Sequence, residues 1–120
     1  MPDNNPKILI VDDSEANRLL LSFMLQELGF KTESAENGEK GVEMALEYDY
    51  CAIFMDLNMP VMGGVESMEI LRGINFEEPI FVCSAENNSS KIERLISSGF
   101  TDFICKPIEP KGVQELLEKH

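Results

Sequence analysis

Positive charge is scarce in this sequence. Ten lysines and arginines stand against 22 aspartates and glutamates, a formal net charge of −12. Nucleic acid and anionic membranes are bound through clustered Lys and Arg, so neither is expected as a direct partner. Long apolar runs are missing too. No stretch approaches the roughly 20 residues that cross a bilayer, so no membrane insertion is expected. Met1 to Lys7 is too polar for a secretory leader. The three cysteines, Cys51, Cys83 and Cys105, are odd in number and lack CxxC spacing, which speaks against a disulfide framework or a zinc site. Each lies in or beside an apolar run, where a free thiol acts as a small hydrophobe, and a reducing cytoplasm is the expected setting. No linker, repeat or low-complexity segment interrupts the chain, so one domain without a separate output domain is expected: 1–6 as a flexible lead-in and 7–120 as the folded unit.

What is present is 43% hydrophobic residues, enough for a core and too many for a disordered tail. They are arranged in alternation. Short runs rich in Ile, Val and Phe read as buried parallel strands: Lys7–Val11, Cys51–Met55, Pro79–Ser84 and Thr101–Cys105. Lys31–Ala35 is more polar and suits a sheet edge. Between them lie helical patterns. The first has Ser14 as N-cap, runs to about Leu28 and stops at Gly29, with Leu20, Met24 and Leu28 beside Leu21 and Leu25 on the packing face. Asn37 opens a second helix through Glu47, with Val42, Ala45 and Leu46 inward. Asn58 to Gly64 reads as a loop from its Pro and Gly, and a helix over Val65–Arg72 follows. Asn87 or Asn88 caps a fourth helix to Ser98, with Ile92, Leu95 and Ile96 inward and Gly99 as its stop. Pro110 opens the last, carrying Val113, Leu116 and Leu117. Five strands alternating with five helices predict an α/β fold with helices on both faces.

The chemistry gathers where the apolar runs end. The first ends at Asp12 and Asp13, the third at Asp56, the fourth at Ser84, the fifth at Lys106. In an open parallel sheet the carboxyl ends of the strands form the ligand-binding edge, so these groups are expected to converge there. Adjacent carboxylates repel, and hard oxygen ligands suit Mg²⁺; a solvated acidic turn is the plainer alternative for the pair. Asp56, before a Pro/Gly loop, can be a metal ligand or a nucleophile that forms an acyl phosphate. Attack on phosphorus needs nearby positive charge, which Mg²⁺ and Lys106 would supply. Ser84 can donate a hydrogen bond to a phosphoryl oxygen.

Ile10-Val11-Asp12-Asp13, Met55-Asp56-Leu57-Asn58-Met59-Pro60, Gly63-Gly64, Ser84-Ala85 and Lys106-Pro107, in this order, make the whole chain resemble a receiver domain of two-component response regulators. The resemblance implies a flavodoxin-like five-stranded parallel sheet of order 2-1-3-4-5. It implies that Asp56 accepts a phosphoryl group from a histidine kinase or a histidine phosphotransfer protein. Asp13, Asp56 and the backbone carbonyl of Asn58 would hold Mg²⁺, with Asp12 acting through metal-bound water. Lys106 would contact the phosphoryl oxygens across a cis Lys106-Pro107 peptide. Ser84 and Phe103 would form the switch, remodelling a surface of helix four, strand five and helix five, through which a phosphorylation-dependent dimer or a downstream protein could bind. Asn58 and Glu86 would tune the lifetime of the acyl phosphate.

The chain departs from the commonest family pattern at Gly63, in place of an acid, and at Phe100, where a small residue is usual. Ser84 stands for Thr and Phe103 for Tyr. None of these removes a group the phosphoryl chemistry needs. The resemblance also implies a signalling domain rather than an enzyme, either a single-domain regulator or the receiver segment of a hybrid histidine kinase on the cytoplasmic side of a membrane. Two other readings compete. One is a Mg²⁺-dependent phosphatase with Asp56 as nucleophile, which would want an acid where Asn58 stands. The other is a docking module that is never phosphorylated.

Overall fold

A computed structural model describes residues 6–86 and 88–120. Strands and helices alternate: β1 (Lys7–Val11), α1 (Glu15–Glu27), β2 (Lys31–Ala35), α2 (Gly38–Glu47), β3 (Ala52–Asp56), α3 (Gly64–Gly73), β4 (Ile80–Ser84), α4 (Ser89–Ser98), β5 (Asp102–Cys105) and α5 (Pro110–Lys119). All strand pairs are parallel, in the order β2-β1-β3-β4-β5. The polar strand β2 lies at an edge, as its composition predicts.

The three central strands are apolar at almost every position because both sheet faces are covered. Side chains alternate between faces along a strand. Ile8, Ile10, Phe54, Phe81 and Cys83 pack with Leu21, Met24 and Leu25 of α1 and with Val113 and Leu116 of α5. Leu9, Val11, Ile53, Met55, Ile80 and Val82 pack with Val42 of α2, Met68 and Leu71 of α3 and Leu95 of α4. Each large side chain removed fully from water in these two layers contributes about 2 kcal/mol.

Helix starts follow from local hydrogen bonding. The Ser14 hydroxyl accepts the Asn17 N–H, the Asn37 side chain accepts that of Lys40, and the Asn88 side chain accepts that of Lys91. Of the two candidate caps for α4, Asn88 takes the role, and Asn87 lies outside the described residues. The 1–6 lead-in falls almost wholly outside them as well. Gly29 and Gly99 follow α1 and α4 at φ 95° and 138°, a region that favours glycine.

Several side chains differ from expectation. Leu20, Leu28, Leu46 and Ile96 are exposed rather than inward. On α1 only a stripe centred on Leu21, Met24 and Leu25 can touch the sheet; Leu20 is turned about 100° from Leu21. β3 also begins and ends one residue later than Cys51–Met55. Asp56 pairs with Cys83 and is itself a strand residue.

Candidate functional site

The site grows from the ends of four neighbouring strands, β1, β3, β4 and β5. β1 runs out at Val11, and the next residue, Asp12, is pinned on several sides. Its N–H donates to the Ala35 carbonyl (3.1 Å), its Oδ1 accepts the Ser14 N–H (2.9 Å), and its carbonyl accepts Arg18 Nη1 (2.8 Å). Asp12 is buried and Asp13 exposed. β3 delivers Asp56, also buried, one strand away. Gly64 lies against it: a Cβ on Gly64 would run into the Asp56 carbonyl, so the turn into α3 needs glycine there.

One carboxylate oxygen from each of Asp12, Asp13 and Asp56 lies within 4.8 Å of the others. Lys106, just past β5, reaches this cluster. Its Nζ is 2.9 Å from Asp56 Oδ1 and 3.5 Å from Asp12 Oδ2. The Lys106-Pro107 peptide is cis, and the Lys106 N–H donates to the Ser84 carbonyl (2.8 Å), tying this loop to the end of β4.

The charges do not balance. Burial raises the Asp56 carboxyl above the ordinary aspartate value; the Lys106 hydrogen bond opposes this, while Asp12 and Asp13 add to it. Burial pulls Lys106 down, but the hydrogen bond to Asp56 and the charge of Asp12 more than offset it, and the ammonium is held above its ordinary value. The two shifts agree. Lys106 faces an excess of negative charge, and Asp56 belongs to that excess. Three carboxylates around one ammonium leave two negative charges without a cationic partner among the described residues. That deficit, offered by hard oxygen donors open to water at Asp13, fits Mg²⁺.

Ser84 is buried at the end of β4, its hydroxyl accepting the Glu86 N–H (3.1 Å). It pairs in register with Cys105, and Phe103 with Val82, so Ser84 and Phe103 share a sheet face on adjacent strands. Phe103 is half-buried against the core on the α2–α4 side. Asn58 and Glu86 are exposed. Glu86 forms an ion pair with Lys91 of α4 (2.9 Å), a partner that sequence reasoning missed. Arg18 was also given no role in the sequence reading, although a cation soon after an Asp pair was the signal available. Of the three thiols Cys83 is buried, Cys51 and Cys105 are half-buried, and all are free.

The family model for the response regulator receiver domain matches residues 8–118. The chain is 34% identical to the chemotaxis protein CheY of Bacillus subtilis, over 94% of this chain and 95% of that protein. It is 35% identical to hybrid signal transduction histidine kinase F of Dictyostelium discoideum, over 96% of this chain but only 11% of that much longer protein. Among solved structures it superposes with a TM-score of 0.87 on the receiver domain of sensor histidine kinase PA1611 from Pseudomonas aeruginosa, at 26% identity and 96% coverage of each chain. That structure carries a magnesium ion in its active-site cleft.

Proposed function

Because this chain belongs to the response regulator receiver domain family, we propose that Asp56 is its phosphoryl acceptor, supplied by the phosphohistidine of a histidine kinase or phosphotransfer protein. The observation that carries this is the unbalanced acidic cluster with Lys106 on its rim. An Asp56 carboxylate oxygen attacks phosphorus, the P–N bond to histidine breaks, and the imidazole leaves with its electron pair and takes up a proton. Asp12, Asp13, Asp56 and the Asn58 carbonyl are the groups that would hold Mg²⁺. The ion supplies the positive charge that lets two anionic groups approach.

Lys106 moves its ammonium from the carboxylate to the phosphoryl oxygens, and Ser84 gives up the Glu86 N–H to donate its hydroxyl to one of them. Phe103 turns into the space Ser84 leaves, which alters the α4–β5–α5 surface for a downstream protein or a second phosphorylated copy. The device is a small two-state element biased by new charge. Asn58 and Glu86, exposed beside the cleft, set how readily water reaches the acyl phosphate. The exposed amide of Asn58 carries no acid/base function, which disfavours turnover of free phosphate esters. The setting is cytoplasmic, as a single-domain regulator or as the receiver segment of a hybrid kinase.

The test is intact mass after incubation with Mg²⁺ and a small phosphodonor. Wild type is expected to gain one phosphoryl group, and Asp56→Asn none. A folded wild type that gains nothing would make the chain a docking module.

A further inference from the structure

We propose that Arg18 is a positioning residue for Mg²⁺, acting through the backbone rather than by touching the ion or the phosphoryl group. The inference rests on the reading of the acidic cluster as a Mg²⁺ site. Asp12 and Asp13 contribute to that cluster in different ways. The Asp12 side chain is held at both oxygens, by the Ser14 N–H at 2.9 Å and by Lys106 Nζ at 3.5 Å. Asp13 has no such ties. It is exposed, and among the described residues no hydrogen bond or ion pair restrains its carboxylate. With its carboxylate untied, Asp13 depends on where the backbone carries its Cα and Cβ, and the plane of the Asp12–Asp13 peptide leads into that Cα.

That plane has a handle. The Asp12 carbonyl is one edge of the peptide, and it accepts Arg18 Nη1 at 2.8 Å. The other end of the link is firm. The Arg18 N–H donates to the Ser14 carbonyl in the first turn of α1 (3.0 Å), and α1 is fixed to the sheet by Leu21 and Leu25. The guanidinium thus spans from a packed helix to the peptide that aims Asp13. Without it this segment loses its tie to α1, and a shift of the Asp13 backbone carries its carboxylate out of the 4.8 Å cluster while Asp12 keeps its own anchors. Groups behind a metal ligand commonly matter in this way, by keeping the ligand's orientation fixed before the ion arrives.

Mg²⁺ affinity measured by titration calorimetry tests the idea on the full chain, for wild type, Arg18→Ala, Arg18→Lys and Asp13→Asn. Arg18→Ala should weaken binding about tenfold, the lower end of the range for residues behind a metal ligand. Phosphorylation by a small phosphodonor should need correspondingly more Mg²⁺ yet reach the wild-type rate at saturation. That split separates positioning of the ion from damage to the fold or to the chemistry. Arg18→Lys keeps the charge but loses the planar fork, so it should recover only part of the affinity. Unchanged affinity in Arg18→Ala, or full recovery in Arg18→Lys, overturns the proposal; the second outcome would make the effect one of charge alone. If Arg18→Ala does not fold, Arg18→Lys and Arg18→Gln carry the same comparison. Absence of binding in wild type would sink the Mg²⁺ reading itself. Loss in Asp13→Asn with full retention in Arg18→Ala would sink only the inference.

Discussion

At Asp56 burial favours the protonated carboxyl, Asp12 and Asp13 reinforce that preference, and only Lys106 opposes it. A carboxyl raised in the folded state contributes stability below its unfolded value and loses that contribution as pH rises through the folded value. At neutral pH the ionised Asp56 is therefore a local cost, one that the proposed acceptor role would require. Active sites commonly carry such a cost, and neutralising one gains stability. Asp56→Asn preserves shape and removes the charge. It should raise the thermal midpoint in Mg²⁺-free buffer at pH 7 by about 4 °C, for a gain of about 1 kcal/mol. It should also abolish any further rise from Mg²⁺ binding to the folded state, which the proposed site predicts for wild type. Calorimetric scans with and without Mg²⁺ read both effects. A lower midpoint for the variant would mean that the Asp56–Lys106 pair outweighs the crowding of the acids.

At the scale of the element, some features were readable from residues and others were not. Strand ends are readable because the runs Ile8–Val11, Ala52–Met55, Ile80–Cys83 and Phe103–Cys105 are apolar and each breaks at a polar residue. The sequence alone therefore puts Asp12, Asp56, Ser84 and Lys106 at one edge, and helix caps at Ser14 and Asn37 are equally plain. Helix faces were less readable. α1 carries apolar residues around more of its circumference than the sheet can cover, and periodicity alone does not say which stripe wins. Leu21, Met24 and Leu25 face the sheet, while Leu19, Leu20 and Phe23 face water. The hydrogen bond Arg72–Gly99, 27 residues apart, is out of reach of the sequence because it depends on where loops return in space, whereas Arg18–Asp12 spans only six residues and has the cation after an Asp pair as its signal. The α1 assignment predicts a clean split. Leu25→Ala should cost about 2–5 kcal/mol, as for a large side chain lost from a packed core. Leu19→Ala should stay within about 0.5 kcal/mol of wild type. Urea unfolding of the two variants distinguishes them, and a large loss in Leu19→Ala would place the wrong stripe against the sheet.

At the scale of the whole molecule, acidic groups of opposite tendency sit at different places on the sheet. At the carboxyl end Asp56 is raised, as above. Elsewhere carboxylates are lowered. At Glu33 the hydrogen bond from Tyr50 pulls the carboxyl down, burial pushes it up, and Lys7 at 3.2 Å pulls it down again. At Asp102 burial pushes up, but His120 at 2.8 Å, the Phe103 N–H and Lys119 outweigh it. A lowered carboxyl stabilises the fold above its unfolded value, and that contribution is lost as pH falls through the folded value. The two tendencies act in opposite directions as pH falls. As pH falls through the raised Asp56 value, relief there adds stability. Below 4.5 and then 3.8, the ordinary values for the two side chains, Glu33 and Asp102 begin to give up their contributions and stability falls. Each lowered group should leave its own mark on the acid limb. Glu33→Gln, measured by urea unfolding from pH 3 to pH 7, should be less stable than wild type at pH 7, and the gap should narrow toward pH 3. The same offset at both ends would show that Glu33 stabilises the fold by packing alone, with no contribution from its charge.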